Sequence, residues 1–180
     1  MDIVELFHSY APSPKKLLVV VSGVSQVGKS TFIQQVAEGF APDITFKFNE
    51  EEEGVLDLGW IRIDEEMTLF LLEYPNMFSL ETILVAVPDL VIGAVVLAES
   101  VHVEGFRDSM LLIQSARDQV YGSYVIAVNK QDHGDAWAPE DLRFAMRVLP
   151  EEDIYPCVAT EHETVRQVLL RLLDKVLNRV

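Results

Sequence analysis

The chain carries one cysteine, Cys157, in 180 residues, which excludes an internal disulfide and a metal site built from several cysteines. Cationic side chains are scarce as well: 14 Lys and Arg stand against 29 Asp and Glu, a net charge of −15. That balance repels phosphodiester backbones and anionic lipid, so neither nucleic acid nor direct membrane insertion is expected, whereas a basic partner would be attracted. Long apolar runs are missing too. The longest, Leu84 to Ala98, is broken by Pro88 and Asp89 and is too short to span a bilayer. His8, His102, His133 and His162 have no metal-ligand spacing. Each reads as a surface or satisfied histidine, with His133 alone near a candidate site. The start Met1-Asp2-Ile3-Val4-Glu5 lacks the form of a signal peptide or myristoylation site, and no prenylation cysteine stands near the end. A cytoplasmic protein is expected, with Cys157 as a small buried residue on a strand.

With 49% hydrophobic residues, the chain is long enough to bury one full core. Residues 1–15 read as an N-terminal extension, a short helix followed by the stiff connector Ala11-Pro12-Ser13-Pro14, and residues 16–180 as a single domain. Continuously apolar runs at Leu17–Val21, Val91–Ala98 and Tyr124–Val128 suit strands covered on both faces, and Ile154–Ala159 suits a last strand. Val55–Ile63 and Met67–Glu73, joined by Asp64-Glu65-Glu66, read as an antiparallel hairpin. Ala41 to Gly54 has no clean period and reads as a long surface loop. Helical spacing appears from Ser30 to about Gly39, from Ser79, over Phe106–Val120, from Pro139 to Leu149, and most clearly in the stripe Val165, Val168, Leu169, Leu172, Leu173 and Val176. Strands alternating with helices predict an α/β fold with a mostly parallel sheet wrapped by helices.

The strongest local pattern follows the first of these strands: Gly23-x-x-x-x-Gly28-Lys29-Ser30, opening into Thr31-Phe32-Ile33. It is a phosphate-binding pattern. Its glycines let backbone N–H groups approach phosphate oxygens, and the next helix aims its positive end at the same spot. Lys29 would reach the terminal phosphates and the Ser30 hydroxyl would ligate Mg²⁺. Ser25, Gln26, Val27 and Thr31 complete the candidate loop. A second pattern, Asn129-Lys130-Gln131-Asp132, follows the Tyr124–Val128 strand. There a carboxylate at Asp132 would accept two hydrogen bonds from guanine, a donor pair that adenine does not present. Asn129 would tie the loop together, and the aliphatic stem of Lys130 would lie over the ring.

With both patterns in view, Lys16 to Asn178 resembles a Ras-like small GTPase domain of the P-loop NTPase class. The string Val55-Leu-Asp-Leu-Gly-Trp-Ile-Arg-Ile63 and its hairpin resemble the MglA-like bacterial and archaeal branch. The resemblance implies a six-stranded sheet with five helices, GTP or GDP with Mg²⁺ as ligands, a molecular-switch role and a protein partner of the Roadblock type at the switch regions. It also implies that Ala159, in Val158-Ala159-Thr160, offers its N–H to the guanine oxygen.

The chain departs from that family in four places. Where Asp-x-x-Gly and often Gln are usual it has Glu73-Tyr74-Pro75-Asn76-Met77. Glu73 could reach the metal through water and Asn76 could offer its N–H, but Met77 cannot orient an attacking water. Thr45 is the one threonine available to the first switch, beside the acidic run Glu50–Glu53, which reads as a solvated loop tip. Ser25 and Gln26 crowd the approach of an arginine finger. Thr160 stands where a lysine usually covers the second face of the base. Two function classes stay open on these residues: a slow GTP-hydrolysing switch, and a nucleotide-holding scaffold that hydrolyses nothing. An ATP-using phosphotransferase is a third, which must treat Asn129 to Asp132 as coincidence.

Overall fold

Leu18, Val19, Val20 and Val21 are all buried although side chains along a strand alternate between faces, so both faces of their strand must be covered. In the computed structural model, which describes residues 3–47, 53–73, 80–120 and 123–178, they lie in β1 (Lys15–Gly23) inside a seven-stranded sheet. The other strands are β2 (Gly39–Lys47), β3 (Glu53–Arg62), β4 (Met67–Glu73), β5 (Val91–Ala98), β6 (Tyr124–Val128) and β7 (Ile154–Pro156), in the order β2-β3-β4-β1-β5-β6-β7. Pairing is parallel from β4 through β1, β5 and β6 to β7, and antiparallel across β2-β3-β4. The expected α/β class and hairpin are present.

Seven strands replace the six implied by the resemblance. The additional one is β2, part of the stretch expected to be a loop. Pro42 and Asp43 hide it, because the register to β3 shifts between Ala41 and Ile44, and Asp43 takes a left-handed φ of 53°. The Asp43 N–H donates to Asp57 Oδ1 at 2.9 Å instead of to the ladder. The helix before it is also shorter than expected.

Among the described residues six α-helices flank the sheet, where the resemblance implied five: α1 (Ile3–Tyr10), α2 (Lys29–Val36), α3 (Leu80–Ala86), α4 (Phe106–Gln119), α5 (Pro139–Ala145) and α6 (His162–Leu177). On one face Leu18 and Val20 of β1 share a core with Ile83, Ile113 and Leu142, and on the other Val19 and Val21 meet Phe32, Ile33, Val165 and Leu172. The residues read as an extension join the first of these cores. Leu6 and Phe7 are buried there, and the Phe7 ring lies 4.7 Å from that of Phe70. The apolar stripe of α6 is buried at Val165, Val168, Leu169 and Leu172; Leu172→Ala would cost roughly 2–5 kcal/mol. Among the described residues no helix is long and apolar enough to cross a membrane.

Because β1, β4, β5, β6 and β7 run parallel, their carboxyl ends share one rim. That rim is where loops bearing ligand-binding groups gather in open α/β sheets.

Candidate functional site

The chain leaves β1 at Gly23, whose φ is 159° and where an added Cβ would sit 2.7 Å from the Leu97 carbonyl oxygen of β5. The following turn passes exposed Ser25 and Gln26, the latter left-handed at φ 59°, and re-enters a helix through Gly28. Gly28 has φ 106°, and a Cβ there would come within 2.6 Å of Asn129 Nδ2. Glycine is required at that point on both counts.

Lys29 and Ser30 open α2. The Lys29 side chain folds back so that Nζ donates to the Val24 carbonyl at 3.1 Å and stands 3.5 Å from Glu73 Oε1. Ser30 Oγ donates to the other oxygen, Glu73 Oε2, at 2.6 Å. Glu73, the last residue of β4, therefore joins both. Val21 and Glu73 are register partners in the parallel β1-β4 pair, which explains why the two strand ends meet.

The Asn129 motif comes to the same rim from β6. The Asn129 side chain is 4% exposed, and each end of its amide is used: Nδ2 donates to the Val27 carbonyl at 2.7 Å, and Oδ1 accepts from the Ala159 N–H at 2.8 Å. One side chain thus joins the loops after β1, β6 and β7. The last of these is also held by Thr164 of α6, whose Oγ1 lies 3.0 Å from the Val158 N–H and 2.8 Å from its carbonyl.

These loops surround an open cavity of about 420 Å³, walled by Gln26, Val27, Gly28, Thr31, Asn129, Lys130, Asp132, His133, Val158, Ala159 and Thr160. Asp132 and His133 are exposed at its edge. Lys130, left-handed at φ 63°, pairs its Nζ with Glu99 Oε2 at 2.9 Å. Burial alone would raise the Glu99 carboxyl, but the Val101 amide and Lys130 outweigh it and hold the group below the ordinary carboxylate range.

The structure does not bring Thr45 to this group. Thr45 is exposed on β2 opposite Val55, and β3 and β4 intervene between its strand and β1. Three strand spacings amount to about 14 Å. Asn76, Met77 and most of the acidic run at Glu50–Glu53 lie outside the described residues.

Glu99, which touches the cavity wall through Lys130, belongs to neither sequence pattern. A signal for Glu99 exists, since Glu99-Ser100 directly follows an apolar strand at the rim where ligands gather. Among the described residues no cluster of three or more His, Cys, Asp or Glu is arranged to hold a metal. Ser30 Oγ and Glu73 Oε2 do form a pair of hard oxygen donors, the type Mg²⁺ takes together with phosphate and water. No protein-family model matches the chain, and no curated protein matches it either.

Proposed function

We propose that this chain is a guanine-nucleotide-binding protein of the Ras-like P-loop type, a molecular switch that hydrolyses GTP slowly. One observation carries the reading: the Asn129 amide bonds to both Val27 and Ala159, so the phosphate pattern and the base-reading pattern wall one cavity. Topology alone brings both loops to one rim; what supports the reading is the direct tie between them through a single buried side chain.

In this reading Asp132 accepts the two guanine donors and the stem of Lys130 lies along one face, while the Ala159 N–H, held by Asn129 Oδ1 at 2.8 Å, has to leave that oxygen to address the base as the resemblance implies. Adenine presents no donor pair to the Asp132 carboxylate, so guanine is the base this reading selects. The backbone N–H groups of Gly28 to Thr31 and the Lys29 ammonium bind the phosphates. Ser30, and Glu73 through water, would hold Mg²⁺, which when bound neutralises charge on the terminal phosphate oxygens. Lys29 has to leave Val24 and Glu73 to reach the ligand.

Slow turnover follows from Met77, which offers no group to orient the attacking water. The same residue favours a second reading, a nucleotide-holding scaffold without hydrolysis. In either case a protein partner at the switch regions is proposed, and the net charge of −15 favours a basic surface on it.

Mass spectrometry of nucleotide retained through gentle purification tests the central claim. GDP or GTP is expected, and retention of adenine nucleotide alone would overturn it. Single-turnover incubation with GTP and Mg²⁺, with and without a partner, then separates switch from scaffold.

A further inference from the structure

Glu99 directly follows β5 with its carboxylate inside the protein, 3% exposed. A buried carboxylate is costly unless every lone pair is used, and its two oxygens are used differently. Oε1 accepts from the backbone N–H groups of Ser100 at 3.0 Å, Val101 at 2.9 Å and His102 at 3.4 Å. That work caps a turn and needs only an acceptor; a neutral amide oxygen would serve. Oε2 faces Lys130 Nζ at 2.9 Å, where the charge matters. A purely structural role for Glu99 accounts for the first oxygen and leaves the second unexplained.

Lys130 is a wall residue of the base cavity. A free lysine side chain loses rotamer freedom when it is fixed. Here the ion pair fixes it before any ligand arrives, which lowers the cost of binding. The opposite loop has Thr160 rather than a second long side chain, so the retention of a base depends more heavily on Lys130.

We infer that Glu99 is a positioning residue of the base cavity: by pairing with Lys130 Nζ it lays the lysine stem along the cavity wall and slows nucleotide release. The inference rests on the proposed guanine-nucleotide reading and adds a residue that neither sequence pattern contains.

The test is the release rate of a fluorescent GDP analogue chased with excess unlabelled GDP, on the full chain with Mg²⁺ present. Glu99→Gln keeps an acceptor for the turn and removes the charge, and release about tenfold faster is expected. Lys130→Met should accelerate release to a similar extent, and the double variant should release no faster than Lys130→Met alone. That absence of additivity is what a structural role for Glu99 would not produce. A wild-type rate in Glu99→Gln, or two effects that multiply in the double variant, overturns the inference while GDP binding itself stands. Wild-type protein that binds no GDP analogue overturns the nucleotide reading and the inference together. Should Glu99→Gln fail to fold, Lys130→Arg and Lys130→Met are compared: faster release from the methionine variant supports the pairing, and equal rates overturn it.

Discussion

Ser30 Oγ and Glu73 Oε2 lie 2.6 Å apart in a hydrogen bond, with Lys29 Nζ 3.5 Å from the other carboxylate oxygen. Glu73 is thus an anion already lodged against the residues that the phosphate pattern reserves for one. On the proposed reading, an incoming triphosphate would meet a like charge unless a cation came with it.

Glu73→Gln removes that charge and keeps the shape. In EDTA it should bind GDP several-fold more tightly than wild type, and with millimolar Mg²⁺ several-fold more weakly, because the carboxylate then works for the cation. Calorimetry in the two buffers decides the matter, and equal shifts in both would remove Glu73 from the phosphate end.

Asn129→Ala deletes both bonds of a buried amide and leaves the Val27 carbonyl and Ala159 N–H without their partner. Roughly 2–4 kcal/mol of stability should go with them. GDP binding should fall by at least as much, since the cavity wall comes apart. A thermal melt unchanged from wild type would contradict the assigned tie.

Asp132→Asn replaces an acceptor pair with an amide that donates on one side. Guanine nucleotide should bind more weakly and xanthine nucleotide more tightly, because xanthine presents a carbonyl where guanine presents its amine. Competition between GDP and XDP reads the switch directly, and an unchanged preference would refute the role of Asp132.

Glu152, away from the site, accepts from Arg117 Nε at 2.8 Å and Nη2 at 2.9 Å, from the Leu149 N–H, and from the Tyr124 hydroxyl. Burial would raise its carboxyl, but Arg117 and Tyr124 outweigh burial and hold it below the usual range. A carboxyl lowered by folding stabilises the protein above its unfolded pKa, and that stability is lost as pH falls through the folded value. Glu152→Gln should therefore melt well below wild type at pH 7. The gap should narrow once pH drops below about 4, and a gap constant from pH 7 to 3 would count against the ion pair.

The central strands were readable because parallel strands covered on both faces must be apolar throughout, as Val91–Ala98 and Tyr124–Val128 are. The turn at Gly28 was readable because its glycine spacing expresses a backbone conformation that a Cβ would block. β2 was not, since Pro42 and the left-handed Asp43 interrupt its alternation. Thr45 looked like a switch residue because order along the chain says nothing about which strand lies outermost. The helix at Ile3–Tyr10 reads as an extension outside the domain, and only the packing of Phe7 on Phe70 reveals that the core closes through it. Glu99 escaped notice because its partner lies 31 residues away in the chain.

Both lateral margins of the sheet are blunt. At one side Pro42 has no N–H to offer and Asp43 turns its own toward Asp57; at the other, β7 is three residues long and ends at Pro156. Among the described residues a foreign strand meets an edge interrupted at Pro42 on one side and an edge of three residues on the other. Fibril growth seeded from these margins should accordingly be slower than from an unbroken edge of the same length.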